Sequence, residues 1–176
     1  PAVANPAAKS VTHQTRGDLK VGAVIPGFNS FFSLTDADWS LQRMLRKNKE
    51  QKSQAGYLLT FFRTDCLPCV KGMNLLKKNV QRLTEKRIKP IFVSYNENPE
   101  TTQAWITERG FHKDFLLAYD KYGYSGPVYG IKADPTNAKS PAVLPLTVVI
   151  DSAGTVKKII TEEGPDYLSL ILQSIG

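Results

Sequence analysis

The sequence predicts an α/β protein with a central mixed β-sheet and helices on both faces of the sheet. Apolar runs of strand length alternate with segments of helical periodicity, and two further apolar runs around DSAG indicate an antiparallel hairpin with Gly154 in its turn. The 176 residues are 41% hydrophobic and 22% charged, which fits one globular domain with a full core. We predict an extended N-terminal arm or linker over 1–20, where Ala, Pro and small polar residues dominate, and one domain over 21–176.

Local patterns predict the individual elements. Thr35 and Asp36 are candidate caps of a first helix. GYLLTFF, from Gly56, lacks alternation, which is typical of a central strand covered on both faces, and the helix after it is predicted from about Cys66 to Lys86. The later predicted elements are, in order, the strand IKPIFVSYN, the helix PETTQAWITERGF, the strand DFLLAYD, a turn-rich insertion over 121–143, the hairpin around DSAG and the helix PDYLSLILQSI.

The chain is basic, with 23 Lys and Arg against 16 Asp and Glu and a formal net charge of +7. The basic residues lie mainly along two predicted helices without aromatic interleaving, so we interpret them as solvated helix faces and predict no nucleic-acid binding. No apolar run approaches the roughly 18–20 residues that span a bilayer. Because the sequence begins at Pro1, we expect a processed or trimmed form, and a membrane tether upstream of residue 1 stays open.

The two cysteines of the chain, Cys66 and Cys69, lie at the junction of the GYLLTFF strand and the helix that follows it. Side chains three positions apart are neighbours on a helix, which suits a disulfide between them. The N–H groups of a first helical turn favour thiolate over thiol at Cys66, and Pro68 is tolerated because those groups have no intrahelical partner. We therefore assign Cys66 as the attacking thiolate and Cys69 as the resolving cysteine, which attacks the Cys66 sulfur in a mixed disulfide.

Two other roles for the pair stay open at this point. One is a structural disulfide, although a loop of two residues restrains little chain and stabilises weakly. The other is half of a zinc site, but a tetrahedral site needs four ligands, and only His13 and His112 could supplement the cysteines. The spacing favours redox chemistry, and we expect no metal and no cofactor.

Three stretches resemble one family, in the same order along the chain. CLPC between an apolar strand and an amphipathic helix resembles the thioredoxin-like superfamily. VGAVIPGF and LPLTVVIDSAGTVKKII are similar to segments of its TlpA/ResA-like extracytoplasmic thiol-disulfide oxidoreductases. The resemblance runs from about Val21 to the C-terminus and implies a thioredoxin-like fold in which Pro145 is cis and faces the cysteines. It also implies that the Leu144 backbone pairs with an extended substrate segment, and that Leu144 and Leu67 form an apolar collar around the sulfurs.

The chain departs from the family pattern beside the cysteines. Relatives usually carry tryptophan where this chain has Asp65, and they often carry glutamate and proline where it has Gly72 and Asn74. The missing glutamate is a plausible proton handler, so its role is either absent or moved. Asp65 is the nearest candidate for a relocated carboxylate, with Arg63 and Lys71 to offset its charge. An exposed aspartate that caps the helix is an equally good interpretation.

The resemblance implies a thiol-disulfide oxidoreductase that works outside the cytoplasm as a reductant of protein disulfides, in cytochrome c maturation or a related assembly. Its expected partners are disulfide-bearing or dithiol proteins and an upstream thiol electron donor, with 121–143 shaping partner choice. A peroxiredoxin-like thiol peroxidase is disfavoured, because that family expects threonine and proline where this chain has Arg63 and Leu59. A binding or chaperone module, whose cysteines no longer turn over, is the other alternative.

Overall fold

The computed structural model describes residues 9–26, 31–33, 39–132, 134, 136–137 and 139–176. The strands within them are β1 Thr12–His13, β2 Thr15–Arg16, β3 Leu19–Lys20, β4 Phe32–Ser33, β5 Gly56–Phe62, β6 Ile88–Tyr95, β7 Leu116–Asp120, β8 Leu146–Asp151 and β9 Val156–Ile160. Seven of them form one sheet in the order β1-β9-β8-β5-β6-β7-β4, while β2 and β3 pair separately. Because β5, β6 and β7 are parallel and β8 is antiparallel to both β5 and β9, the predicted mixed sheet is confirmed.

Helices cover both faces of this sheet. They are α1 Leu41–Gln51, α2 Leu67–Lys78, α3 Val80–Glu85, α4 Pro99–Glu108, α5 Ser125–Val128 and α6 Tyr167–Ser174, with a short 3-10 turn at Phe111–Lys113. A first core joins α2, α4 and α6 to Leu58 and Phe62 of β5. A second core joins α1, α5 and β3 to Tyr57 and Leu59 on the opposite face. None of the described helices has the length and hydropathy that crossing a membrane requires.

The first predicted helix is confirmed, with a later start. α1 begins at Leu41, where the Ser40 hydroxyl accepts a hydrogen bond from the Arg43 N–H at 3.2 Å and so caps the helix. The predicted caps, Thr35 and Asp36, lie outside the described residues. Ser40 is a good cap for the same reason that made those two residues candidates, since its short side chain reaches the free N–H groups of the first turn.

The prediction of one helix from the cysteines to Lys86 was wrong in its length. The chain breaks at Asn79, so that α2 and α3 are separate helices. The Asn79 side-chain amide donates to the Leu75 carbonyl at 2.8 Å, while its backbone N–H bonds to the Leu76 carbonyl at 3.1 Å. The side chain thus takes the acceptor that the helical ladder would use, which the unbroken apolar spacing of the sequence does not reveal.

The described part of the predicted N-terminal arm, residues 9–20, is mostly exposed but is joined to the domain at several points. β1 extends the sheet by pairing antiparallel with β9, and Leu19 is 1% exposed within the second core. One strand pair and one buried leucine thus join this segment to the domain, and the boundary at residue 20 stays a prediction. Edge pairing uses backbone groups, and a single leucine supplies the packing, so the composition of 9–20 gives no sign of it. Residues 1–8 lie outside the described residues.

The predicted insertion over 121–143 is built into the domain through its described residues. The buried Asp120 carboxylate, just before it, accepts hydrogen bonds from the Tyr124 N–H and from the N–H and hydroxyl of Ser125, which begins α5. Tyr129 is fully buried in the second core, and its burial raises the pKa of the phenol. Buried and hydrogen-bonded anchors of this kind attach the start of the insertion, up to Tyr129, to the domain.

Candidate functional site

The cysteine pair lies where β5 gives way to α2. Cys66 is the N-cap of α2, Cys69 lies in its first turn, and the two form a disulfide with Cα atoms 5.2 Å apart. The Cys66 sulfur accepts a hydrogen bond from the Cys69 N–H at 3.3 Å, so the helix begins at the sulfur as predicted. Cys66 is half-buried, whereas Cys69 is 1% exposed and belongs to the first core. One cysteine therefore lies at the surface and the other in the interior.

The segment before β8 reaches the same place. The Leu144–Pro145 peptide is cis, as the family resemblance implies. Leu144 is half-buried and lines a cleft together with Cys66. Leu67 is 80% exposed, and Pro68 is also exposed. The structure thus brings Leu144 to Cys66 and leaves Leu67 on the outer surface of the helix start.

A cleft of about 720 Å³ opens beside Cys66, and we call it the Cys66 cleft. Its lining comes from the β5–α2 loop, the end of β6, the insertion and the segment before β8, namely Arg63, Asp65, Cys66, Tyr95, Asn96, Tyr122, Gly123, Tyr124, Pro127, Lys132, Ser140, Ala142 and Leu144. The insertion contributes more of these residues than any other segment. The volume lies in the range of sites that hold small ligands or a few side chains of a partner.

Asp65 forms an ion pair with Arg63. The Arg63 guanidinium donates to both Asp65 carboxylate oxygens, at 3.0 and 3.4 Å, and also to the Asn96 carbonyl at 3.0 Å. Of the two cations expected to offset Asp65, Arg63 does so, while Lys71 pairs with Glu163 at 3.5 Å. The alternative in which Asp65 caps the helix was wrong, because the cap of α2 is Cys66 itself.

Glu97 is a site residue that the sequence did not single out. Its side chain is 9% exposed, and one carboxylate oxygen accepts from both the N–H and the hydroxyl of Thr64 at 2.9 Å. The other oxygen accepts from the Thr102 hydroxyl at 3.2 Å. The Arg63 guanidinium lies 3.9 Å from the oxygen that Thr64 contacts. Glu97 therefore ties the loop before Cys66 to the β6–α4 junction. Nothing in the local sequence marks this glutamate, because Arg63 and Thr64 lie more than 30 residues earlier in the chain.

Another unpredicted carboxylate lies next to Gly72. Gly72 follows Cys69 by three residues and shares its face of α2. A Cβ atom at Gly72 would lie 3.5 Å from the Glu163 side chain and 3.7 Å from the Tyr167 ring. Glu163 comes from the β9–α6 loop, and its side chain is 10% exposed. The space above the position where relatives often carry glutamate is therefore taken by a glutamate from a distant part of the chain.

Three buried hydroxyl groups form a cluster on the same face of the sheet. The Thr147 hydroxyl lies 2.8 Å from the Tyr167 hydroxyl and 3.4 Å from that of Thr60. Burial raises the pKa of Tyr167 to about 12, with the charge of Glu163 acting in the same direction and the hydrogen bonds to Thr147 and Thr60 in the opposite one. The cluster is therefore neutral and internally hydrogen-bonded at physiological pH.

The histidines do not join the cysteines in a metal site. The His13 ring nitrogen Nε2 lies 3.0 Å from the Thr161 hydroxyl at the sheet edge, and His112 lies in the 3-10 turn after α4. Across the part of the chain that the structure describes, no three His, Cys, Asp or Glu side chains come together as metal ligands would.

A family model described as Redoxin matches residues 20–170 of this chain. The chain belongs to the Redoxin family. This Redoxin-family chain is similar to a protein described as the thiol:disulfide interchange protein DsbE from Chlorobium tepidum, at 18% identity over 90% of this chain and 99% of that chain, with a TM-score of 0.65. The thioredoxin domain of a thiol-disulfide oxidoreductase from Bacteroides vulgatus gives 18% identity, the same coverage and a TM-score of 0.64. No curated protein matches the chain.

A thiol peroxidase is also among the similar structures. The enzyme from Chromobacterium violaceum is 20% identical over 90% of this chain and 89% of that chain, with a TM-score of 0.62. Likeness at these identities shows the fold, so the predicted thioredoxin-like fold is confirmed. Because proteins with different named activities share the fold, the activity of this Redoxin-family chain has to be argued from its own site.

Proposed function

We propose that this protein is a thiol-disulfide oxidoreductase that exchanges disulfides with partner proteins through Cys66 and Cys69. One observation carries the proposal: the two bonded sulfurs lie together at the start of α2, yet Cys66 lines an open cleft and Cys69 is 1% exposed. A structural disulfide gains nothing from this asymmetry, whereas a two-step exchange needs one accessible and one protected sulfur. Membership of the Redoxin family supports the same interpretation.

The first step begins with the reduced protein. The Cys66 thiolate attacks one sulfur of a partner disulfide, a new S–S bond joins Cys66 to the partner, and the second partner sulfur leaves as a thiolate that takes up a proton. The N–H groups at the start of α2 stabilise the attacking thiolate, and the Cys69 N–H already lies 3.3 Å from the Cys66 sulfur. The backbone of Leu144, in the same cleft, is the proposed pairing edge for the partner segment.

The second step releases the partner. Cys69 gives up its thiol proton and attacks the Cys66 sulfur, the bond from Cys66 to the partner breaks, and the Cys66–Cys69 disulfide forms. Two electrons have then passed to the partner, which leaves with both sulfurs reduced. An upstream thiol donor restores the dithiol. The reductive direction, the extracytoplasmic location and the role in cytochrome c maturation or a related assembly are parts of the proposal that rest on the TlpA/ResA-like resemblance.

Reduction of insulin by dithiothreitol tests the proposal. We expect wild-type protein to accelerate the reduction and Cys66→Ser to lose that acceleration. After reduction and removal of dithiothreitol, Cys69→Ala should accumulate a mixed disulfide with insulin, because the resolving sulfur is gone, and mass spectrometry should place insulin on Cys66. A rate equal to that of dithiothreitol alone, with no mixed disulfide from Cys69→Ala, would contradict the proposal.

The cytochrome c part of the proposal has its own test. An oxidised peptide containing C-x-x-C-H represents the haem-attachment sequence. We expect the reduced protein to reduce this peptide and to end in its own disulfide form. If insulin is reduced and the peptide disulfide stays intact, the oxidoreductase stands and the cytochrome c role is wrong.

A further inference from the structure

The insertion gives the Cys66 cleft a chemical character of its own. We propose that the Cys66 cleft selects partner segments in which the target cysteine is flanked by an aromatic residue and by acidic residues. This inference rests on the proposed thiol-disulfide exchange and names the class of segment that the exchange prefers.

Two exposed aromatic side chains line the Cys66 cleft. The large hydrophobic side chains exposed in the described residues are Val11, Val24, Phe32, Leu67, Tyr122, Tyr124 and Val143. Tyr122 and Tyr124 line the cleft, and Leu67 and Val143 directly adjoin two other lining residues in sequence. Both tyrosines thus lie at one small site, and exposed aromatic side chains that line a cleft are typical of an interaction surface.

The two tyrosines are suited to an aromatic partner. Tyr122 is 64% exposed and Tyr124 is 62% exposed, and their ring centroids lie 5.6 Å apart in a tilted arrangement. Lys121 Nζ lies over the Tyr122 ring at 5.3 Å from its centroid, and an incoming ring can pack against the exposed parts of the two tyrosines at the distances that aromatic pairs favour. Tyrosine also offers a large contact area at a small entropic cost, because only two side-chain torsions must be fixed.

The charges of the cleft favour an acidic partner. Arg63 and Asp65 pair with each other at 3.0 Å, which leaves Lys132 among the charged lining residues. The insertion as a whole has three lysines, Lys121, Lys132 and Lys139, against one acid, Asp134. Hydrogen bonds from Thr136, and more weakly the charge of Lys132, lower the pKa of Asp134. Asp134 therefore offsets part of the charge of Lys132, and Lys121 and Lys139 leave the insertion with a positive net charge.

Backbone contacts anchor the described parts of the insertion to the domain. A Cβ atom at Gly126 would overlap the Tyr95 hydroxyl, so the backbone of the insertion packs directly on the end of β6. The Arg16 guanidinium donates to the Gly130 carbonyl at 3.2 Å and also to the Val143 carbonyl, which fixes the far part of the insertion. An anchored surface loses less entropy on binding. Differences in sequence between partner segments should therefore change the rate at which Cys66 reacts with them.

Synthetic peptides with a single cysteine test the proposal. Each cysteine is joined to 5-thio-2-nitrobenzoate as a mixed disulfide, so attack by the Cys66 thiolate releases a chromophore. The first peptide has an aromatic residue and two aspartates beside the cysteine, the second has lysines in place of the aspartates, and the third has serine in place of the aromatic residue. We expect wild-type protein to react about five- to tenfold faster with the first peptide than with either other one. The acid–base difference should shrink in high salt.

Variants assign the preference to the insertion. Lys132→Gln should narrow the ratio of acidic to basic peptide rates, and the double variant Tyr122→Ser/Tyr124→Ser should narrow the ratio of aromatic to serine peptide rates. Each ratio is measured within one variant, so a partial loss of folded protein does not alter it. Lys157→Gln is the matched control, because Lys157 is an exposed lysine on β9 outside the cleft, and both ratios should stay at their wild-type values.

The outcomes separate this inference from the function on which it rests. The mixed disulfide of 2-mercaptoethanol with the same chromophore serves as a minimal probe. If this probe reacts but wild type shows no preference among the peptides, or prefers the basic one, the inference is overturned and the exchange activity stands. A preference that survives the Lys132 and tyrosine variants also overturns it. If even the minimal probe fails to react with Cys66, the exchange activity and the inference fail together.

Discussion

The two sides of the Cys66–Cys69 disulfide are covered by different parts of the chain. On the Cys66 side, the insertion lines a cleft of about 720 Å³ and contributes exposed tyrosines to it. On the Cys69 side, the first core closes over the sulfur, which is 1% exposed. The start of one helix thus supplies both an accessible sulfur and a buried sulfur, because distant parts of the chain pack over Cys69 and not over Cys66. We call these the open side and the closed side.

Polar groups also differ between the two sides. On the closed side, Thr60, Thr147 and Tyr167 are buried and bonded to one another, and the nearby Glu163 pairs with Lys71. On the open side, Tyr122 and Tyr124 are exposed, and the half-buried Lys132 lines the cleft. Substitutions on the open side should therefore change partner choice and thiol reactivity, whereas substitutions on the closed side should change stability.

The largest expected difference between the sides is in thiol reactivity. In the reduced protein at neutral pH, we expect iodoacetamide to modify Cys66 at least about a hundredfold faster than Cys69, because a buried thiol reacts only after local opening. Mass spectrometry of the single variants Cys69→Ser and Cys66→Ser measures each thiol separately. Equal rates would mean that the two sides do not differ in the reduced protein. A Cys66 rate no higher than that of glutathione would favour the binding or chaperone module.

A second, smaller effect concerns stability on the closed side at alkaline pH. The pKa of Tyr167 is raised to about 12, so its protonated form is favoured in the folded state, whereas an unfolded tyrosine ionises near pH 10. Its contribution is fully present below pH 10 and is lost as the pH rises through the folded value. Between those limits the free energy of unfolding should fall by about 1.4 kcal/mol per pH unit on account of this one group.

Tyr167→Phe isolates that contribution. At pH 8 the variant should be about 1 kcal/mol less stable than wild type, because the hydrogen bond to Thr147 is lost. The difference should shrink above pH 10, since phenylalanine cannot ionise. Urea unfolding from pH 8 to 11 measures both curves, and Tyr124→Phe is the control, because Tyr124 is 62% exposed. Parallel curves for wild type and Tyr167→Phe would contradict the prediction.

The sequence predicts those parts of the molecule that depend on local patterns. Gly56–Phe62 is a continuous apolar run because alternate residues enter two different cores, and the position of Cys66 at the helix start follows from the end of that run. The hairpin around Gly154 follows from turn chemistry, and Gly154 has the positive φ of 86° that the turn requires. These features need no knowledge of distant partners.

The rest depends on contacts between residues that are far apart in the sequence. Glu163 and Gly72 are far apart in the sequence, and Thr64 lies 33 residues from its partner Glu97, so no local pattern marks either glutamate. The break at Asn79 depends on one side-chain amide bond within an otherwise regular apolar spacing. The insertion was predicted as a turn-rich segment, but its relation to Cys66 depends on the buried anchor at Asp120.

The smallest expected effect concerns Asp65, on the open side. Asp65→Asn removes a negative charge near the Cys66 sulfur and leaves Arg63 without its closest anion, so both changes should favour the thiolate. The Asp65 side chain is 70% exposed and bound to Arg63 at 3.0 Å, so solvent and this cation already screen most of its charge. We expect the pH midpoint of Cys66 alkylation, measured in a Cys69→Ala background, to fall by less than about half a pH unit.

Arg63→Gln in the same background should move the midpoint upward, because it leaves Asp65 uncompensated. A fall of more than one unit for Asp65→Asn would show that Asp65 acts directly on the thiolate, and a rise would show that it stabilises the thiolate by another route.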